Sequence, residues 1–581
     1  MTVRRRAALM AVTAAIALAT GPTAAATAMA TAAVRATAAA TAMRAAGAPA
    51  ATGHWGSMKA VPGVVIQPAM DPESQVSSVS CGAPGNCAAG GSFTQAGDGL
   101  RGFVASEHRG VWGRAILVPA LDPLITSSSI SSVSCGAPGN CVAGGSFTRS
   151  GGLGQAFVVS EVNGRWGAPL VVPNIGNLSQ GGLSDVHAVS CPTAGNCVVA
   201  GGFDNKGITQ PYVAEERGGN WEPAQAVGGL AGITFAFLSS VACASAGTCA
   251  AAGLFAGASH LGHGFVVDEQ DGTWGTAKLV PRVDGASMIN GVSCAPAGTC
   301  TVAGWFTADS GSRHAFVTDQ DGGAWEKLIP VTGLPGQAGG APSSANSVSC
   351  APGGTCAVAG SFTDASGHPQ AFVAEKTGGR WHPARQIAVA GVVSCAAAAN
   401  CRIAGTTPAT PGQPGSVRAL FATTEINGAW GGATQIPGSA ALLAGNNVAV
   451  AALSCASPNS CAAGGFATDA AGLEHPVLVD ESAVTTTVLA LSAAKIRFGH
   501  EQAERVSVKI TPRTGGAPGG KVTVTAGSAT LCVITLAAGK GSCTLPARKL
   551  RPGRYHVIAA YGGSPVYTRS ASPVKTLTVA K

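Results

Sequence analysis

Ser132-Val133-Ser134-Cys135-Gly136-Ala137-Pro138-Gly139-Asn140-Cys141-Val142-Ala143-Gly144-Gly145-Ser146-Phe147 is written, with small changes, eight times along this chain. Its cysteine pair recurs as Cys81/Cys87, Cys135/Cys141, Cys191/Cys197, Cys243/Cys249, Cys294/Cys300, Cys350/Cys356, Cys395/Cys401 and Cys455/Cys461. Successive first cysteines stand 54, 56, 52, 51, 56, 45 and 60 residues apart. A fixed period of this length marks a repeat array, whose units bury their faces on one another and are unstable alone.

Within the second unit, Gln155-Ala156-Phe157-Val158-Val159-Ser160-Glu161 follows the cysteine hairpin. Then come the turn Val162-Asn163-Gly164, Arg165-Trp166-Gly167 and Leu170-Val171-Val172-Pro173. Short β-rich runs between Gly, Pro, Asn and Asp read as four strands, with no sustained helical periodicity. Four strands per repeat predict an all-β fold, an eight-bladed β-propeller over residues 53–483. Seven blades follow instead if the short unit between Cys350 and Cys395 is not a full blade. Outer-strand tryptophans stand at 55, 112, 166, 221, 274, 325, 381 and 430, so the first precedes every hairpin and the last hairpin has none after it. Trp55 is therefore expected to supply the outer strand of the last blade, closing the ring and removing its edges. The second-strand phenylalanines (Phe93, Phe147 and their equivalents) and third-strand aromatics (Phe103, Phe157, Tyr212) are expected in the core.

Arg4-Arg5-Arg6, the apolar run Ala7 to Ala19 and the small residues after it form the pattern of a secretory signal peptide over residues 1–28, cleaved near 26–30. The apolar core is shorter than the roughly 20 residues of a membrane span. Residues 29–52, mostly Ala and Thr, read as linker. An exported chain makes regularly paired cysteines disulfides, and zinc is not expected because the histidines keep no register to them. Each small loop so closed contributes roughly 2 kcal/mol. Charge divides sharply along the chain. Residues 485–581 hold 14 Lys/Arg against only Glu501 and Glu504, while residues 51–484 hold 17 against 26 acids. A basic tail on an acidic body points to an anionic partner.

The phrase Arg313-His314-Ala315-Phe316-Val317, with Gly154-Gln155-Ala156-Phe157-Val158, resembles the HAF-like extracellular repeats of secreted bacterial propeller proteins. The turn before tryptophan resembles the Asp-box of sialidase-like propellers only in part. Its Ser-x-Asp-x-Gly pattern is not kept, and sialidase catalysis is not carried over. Residues 484–581 resemble the bacterial Ig-like repeat domain through Gly520-Lys521-Val522-Thr523-Val524, Gly541-Ser542-Cys543-Thr544-Leu545-Pro546 and Gly553-Arg554-Tyr555. That resemblance implies a β-sandwich spacer or adhesive module, with Cys532 bridged to Cys543.

No Gly-x-Ser-x-Gly, His-Glu-x-x-His, P-loop or EF-hand loop occurs, so no catalytic residue, metal or cofactor is assigned. A carboxylate four residues after the third-strand aromatic (Glu107, Glu161, Glu216, Glu269, Glu425, Glu481) repeats too regularly for a grafted function and is expected to fix a turn. Two residues before that aromatic stand Arg101, Gln155, Gln210, His263, His314, Gln370 and His475. These variable polar residues, with Trp305, are the candidate ligand-binding rim of a central channel. The reading is a secreted or cell-surface, monomeric, non-enzymatic binding or adhesion protein, with an extracellular or cell-wall glycan or protein as partner and no nucleic acid. The alternative is an extracellular polysaccharide-acting hydrolase or lyase.

Overall fold

The computed structural model describes residues 53–581 apart from 67–73, 96–98, 119–124, 151, 259–260, 281–284, 337–339, 409–418, 439–446, 513–516 and 565–566. The expected signal peptide and linker lie outside these residues. The protein is all-β, built of many small sheets, with one short helix, Ile175–Ser179, among the described residues long enough for a single turn.

Each cysteine hairpin opens a unit of antiparallel strands in chain order. In the second unit Ile125–Ala137 pairs with Asn140–Arg149, which pairs with Gly154–Val162. The fourth strand is broken in two, Arg165–Trp166 and Leu170–Val171, both on Gly154–Val162. The same order recurs in eight units, including the short one that begins at Ala390. In the last unit Gly53–Trp55 and Lys59–Ala60 pair with Glu474–Ala483, Trp55 opposite Glu481. Trp55 therefore occupies the place the sequence assigned to it.

The core sits at the junctions between units. Ala88 and Val104 of the first unit pack with Ile130, Val133 and Phe157 of the second. Val142 and Val158 of the second then pack with Val186 and Tyr212 of the third. The series runs on until Ala462 and Leu478 of the last unit meet Val76, Val79 and Phe103 of the first. Each buried phenylalanine contributes about 1.5–3 kcal/mol.

All eight hairpins are closed by disulfides, and Cys532 is bridged to Cys543, leaving no free cysteine. The pairing follows the sequence, and the disulfides reach into the packed interior. The second cysteine of every hairpin is buried: Cys87, Cys141, Cys197, Cys249, Cys300, Cys356, Cys401 and Cys461 are all 2–6 % exposed. Cys87, Cys300, Cys401 and Cys461 belong to the apolar junctions themselves. Cys356 Sγ lies 3.6 Å from Thr301 Oγ1 of the preceding unit. The cause is the register, because the second strand is covered by its neighbours on both sides while the hairpin loop stays outside. Each disulfide is thus also a piece of core.

Beside this apolar packing runs a polar belt that explains Ser-x-Ser-Cys. The serine before each cysteine accepts a hydrogen bond from the backbone N–H of the next unit's cysteine. The pairs are Ser80 with Cys135, Ser134 with Cys191, Ser190 with Cys243, Ser293 with Cys350, Ser349 with Cys395, Ser394 with Cys455 and Ser454 with Cys81, all at 2.9–3.0 Å. First strands of neighbouring units are not paired as sheet here, so the hydroxyl supplies an acceptor the backbone would otherwise lack. In the fourth unit Ala242 stands in the serine's place.

The second-strand glycine that is present in every unit has a steric cause. A Cβ on Gly145 would fall on the Ser129 carbonyl oxygen, and one on Gly465 on that of Ala449.

Residues from Thr485 onward form two separate sheets. One holds Thr485–Leu491, Arg505–Pro512 and Lys540–Thr544; the other is built on Gly520–Ala526, Gly553–Tyr561 and Lys575–Ala580. Val506, Val522, Val524, Val557, Ala559 and Leu577 fill the space between them.

Candidate functional site

The sequence-chosen polar residues all lie at the start of the third strand, opposite the end of the second. Arg101 faces Phe93, Gln155 Phe147, Gln210 Phe203, His263 Phe255, His314 Phe306, Gln370 Phe362 and His475 Ala467. All are half-buried, one per unit, and the fold does not bring them together. The ring's innermost strands are the first strands of the units, so a second strand separates these side chains from the centre. The described contacts are mainly local. Gln155 accepts from Arg149 Nη1 at 3.0 Å, and Gln370 Nε2 donates to Asp364 Oδ2 at 3.0 Å. His475 Nε2 lies 2.8 Å from Asp469 Oδ2. His263 and His314 lean on Phe255 and Phe306, and Trp305 is capped by the Arg313 guanidinium at 4.2 Å.

Polar residues of the innermost strands come instead from the bulges: Ser77, Ser131, His187, Ser239, Asn290 and Asn346. His187 Nδ1 meets the Leu238 carbonyl at 2.9 Å, and Asn290 Nδ2 donates to the Ala345 carbonyl at 2.8 Å. Their signal in the sequence is an extra polar residue that breaks the alternation just before Ser-x-Ser-Cys.

The repeated carboxylates are buried at the junctions rather than fixing turns. Glu161 lies opposite Cys141 and Trp166 and is 2 % exposed. In six units the residue just before the carboxylate position faces the next unit and receives that unit's tryptophan. Indole N–H groups donate from Trp112 to Asp480, Trp166 to Ser106, Trp274 to Glu215, Trp325 to Asp268, Trp381 to Asp319 and Trp430 to Glu375 at 2.6–3.1 Å. At one junction the acceptor position is Ser160, and Trp221 Nε1 has no hydrogen-bond partner.

The next unit's carboxylate position meets the same acceptor. Ser106 Oγ donates to Glu161 Oε1 at 2.6 Å. Where the repeat carries Gln320 or Lys376, the acceptor is an aspartate: Gln320 hydrogen-bonds Asp268, and Lys376 Nζ lies 3.0 Å from Asp319. Three junctions join two acids. Burial, then the Asp480 charge, pushes Glu107 up to about 8. Burial and Glu215 raise Glu269 to about 7; burial and a hydrogen bond with Glu375 raise Glu425 to about 8. Burial and the neighbouring acid both disfavour the second charge of each pair, which favours a shared proton there. Glu481 is matched differently, by the buried Arg402, whose Nε lies 3.0 Å from it and whose Nη2 donates to Asn459 at 2.8 Å.

Beside the Glu215–Glu269 pair a cavity of about 290 Å³ opens between the third and fourth units, lined by Asn196, Glu215, Arg217, Thr248, Asp271 and Gly272 among others. Arg217 reaches Glu215 at 2.6 Å, Glu222 at 3.3 Å and Glu269 at 3.5 Å. Cys197 and Cys249 reach the wall of this cavity, whereas Cys87, Cys300, Cys356, Cys401 and Cys461 lie outside it and are closed off by packing. No group of side chains fit to hold a metal ion occurs among the described residues.

The C-terminal sheets have the opposite character. Glu501 and Glu504 are fully buried; Glu501 accepts the Arg548 N–H at 2.8 Å, and Glu504 those of Ser492 and Ala493 at 2.7 and 2.9 Å. No carboxylate side chain of this domain reaches its surface.

Residues 489–580 match the bacterial Ig-like domain (group 3) family, and the C-terminal segment is such a domain. No curated protein matches the chain. Among solved structures, a protein of unknown function from Dyadobacter fermentans is similar over 51% of this chain and 94% of its own, at 13% identity and TM-score 0.33. A Hadza microbial sialidase is similar over 57% and 73%, at 11% identity and TM-score 0.31. An ulvan lyase, a polysaccharide lyase, is similar over 67% and 96%, at 8% identity and TM-score 0.37. Likenesses this weak assign no activity to this chain. Nine disulfides fit an extracellular protein, and among the described residues no helix is long and apolar enough to cross a membrane.

Proposed function

We propose that the chain is a secreted or cell-surface, non-enzymatic binding protein. Its scaffold is an eight-bladed, disulfide-stapled β-propeller over residues 53–483, and its Ig-like domain docks it on an anionic envelope polymer. The observation that carries this reading is the charge partition: the domain's two carboxylates are buried and used internally, so its surface is cationic, while the propeller is acidic. The bulge residues His187, Asn290 and Asn346, rather than the third-strand positions, supply the ligand-facing polar groups at the ring's centre. Salt-dependent retention on isolated cell walls tests it, comparing the full chain with one lacking residues 485–581. Equal retention of the two would sink the docking role.

An extracellular polysaccharide-acting hydrolase or lyase is the second reading. It is supported by the cavity whose wall carries Glu216, a carboxyl that burial holds above its ordinary value and that so could serve as a general acid. Release of reducing or unsaturated ends from polysaccharides, abolished by Glu216→Gln, would establish it; no turnover across a polysaccharide panel removes it.

A further inference from the structure

Both outer faces of the Ig-like domain carry lysines and arginines, but on the sheet holding Arg505–Pro512 and Lys540–Thr544 the Arg505 guanidinium is engaged with Ser542 Oγ at 3.0 and 3.2 Å. On the sheet holding Lys495–Arg497, Lys575–Ala580 and Gly553–Tyr561, Ile496, Leu577, Val579, Val557 and Ala559 point into the core. Their neighbours Lys495, Arg497, Arg554 and His556 are exposed on the other face, with Thr576 and Thr578 between them. The register sets Lys495 beside Thr578 and Thr578 beside Arg554, and His556 beside Thr576. Lys495 and Arg497 are thus about 6.6 Å apart along one strand, and Lys495 and Arg554 about 10 Å apart across three. None of these four side chains pairs with a carboxylate among the described residues, and the face carries no tryptophan, tyrosine, amide or acid on these strands.

A flat, donor-rich face of this kind suits an extended acceptor-rich chain. Arginine forks bind two oxygens of one phosphate, and threonine hydroxyls donate to the next. Sugar rings would need acceptors for their hydroxyls and aromatic surfaces to lie on, which this face lacks. We propose that the outer face formed by Lys495, Arg497, Arg554 and His556 docks a linear polyol-phosphate polymer, its phosphodiesters matched to the strand pitch. This rests on the docking role given to the basic domain, and names its face and its partner.

The test is binding of the full chain to fluorescently labelled poly(glycerol phosphate) through a salt titration. The triple variant Lys495→Gln, Arg497→Gln, Arg554→Gln should bind about thirtyfold more weakly and show a shallower salt slope. Arg505→Gln, Lys509→Gln, Lys540→Gln removes the same charge from the opposite sheet and should bind within about threefold of the parent. All substitutions are on exposed side chains, and unchanged thermal midpoints verify folding. Equal losses from the two triples overturn the face. Equal or tighter binding of a polyuronate or of double-stranded DNA overturns the partner class while leaving an anionic docking role standing. Failure of the parent chain to bind any of the three polymers overturns the docking role itself.

Discussion

Two side chains show how much a single position decides at a junction. Arg402, 2 % exposed, neutralises Glu481 across the boundary between the seventh and eighth units. Arg402→Leu strands a buried carboxylate, and chemical unfolding should show a loss of about 3–5 kcal/mol. Replacing Arg402 and Glu481 together by apolar residues should cost much less. Ala242 is the converse case, a natural gap in the serine belt. Ala242→Ser restores the hydroxyl offered to Cys294 and should stabilise by roughly 1 kcal/mol, read as a higher urea midpoint. Neither partner was legible in the sequence. The cysteines, glycines and serines could be counted there, but hydrogen bonds between units some 55 residues apart depend on how far one sheet leans on the next, which composition does not encode.

At the scale of the element, the outer strand separates what was readable from what was not. Trp55 announced itself because the repeat was one tryptophan ahead of its hairpins. The break of that strand after each tryptophan, and its anchoring to the preceding unit by the indole N–H, left no such mark. The variability of the third-strand polar residues was visible in the sequence, whereas their spacing, one per unit opposite the end of the second strand, is a property of the fold. The bulges were legible in principle, as paired polar residues such as Ser77-Ser78, yet alternation alone hides which residue is extra. Trp55→Ala removes a buried side chain from the closing strand, 4 % exposed. It should cost about 3–5 kcal/mol and expose the final unit to limited proteolysis before the others.

For the molecule as a whole, the three acid pairs give stability a direction in pH. Glu107, Glu269 and Glu425 hold their protons more tightly folded than at the ordinary value of 4.5. Their contribution is therefore full in acid, below about 4.5, and is lost as pH rises through about 7 to 8. Urea midpoints should fall between pH 5 and pH 9, the unfolding free energy dropping by an amount on the order of a few kcal/mol. Glu107→Gln, Glu269→Gln, Glu425→Gln should flatten that slope and exceed the parent at pH 9. An unchanged slope would mean the pairs do not share protons.

The pairing of His54 with Ser482 has a consequence in time. These partners are separated by 428 residues, so one waits for the other throughout synthesis, roughly 20–90 s at ordinary elongation rates. Until then the growing arc has an open edge at each end, and its first strand is the one piece that must not pair early. Of the repeat region, the latch is the first part made and the last part used.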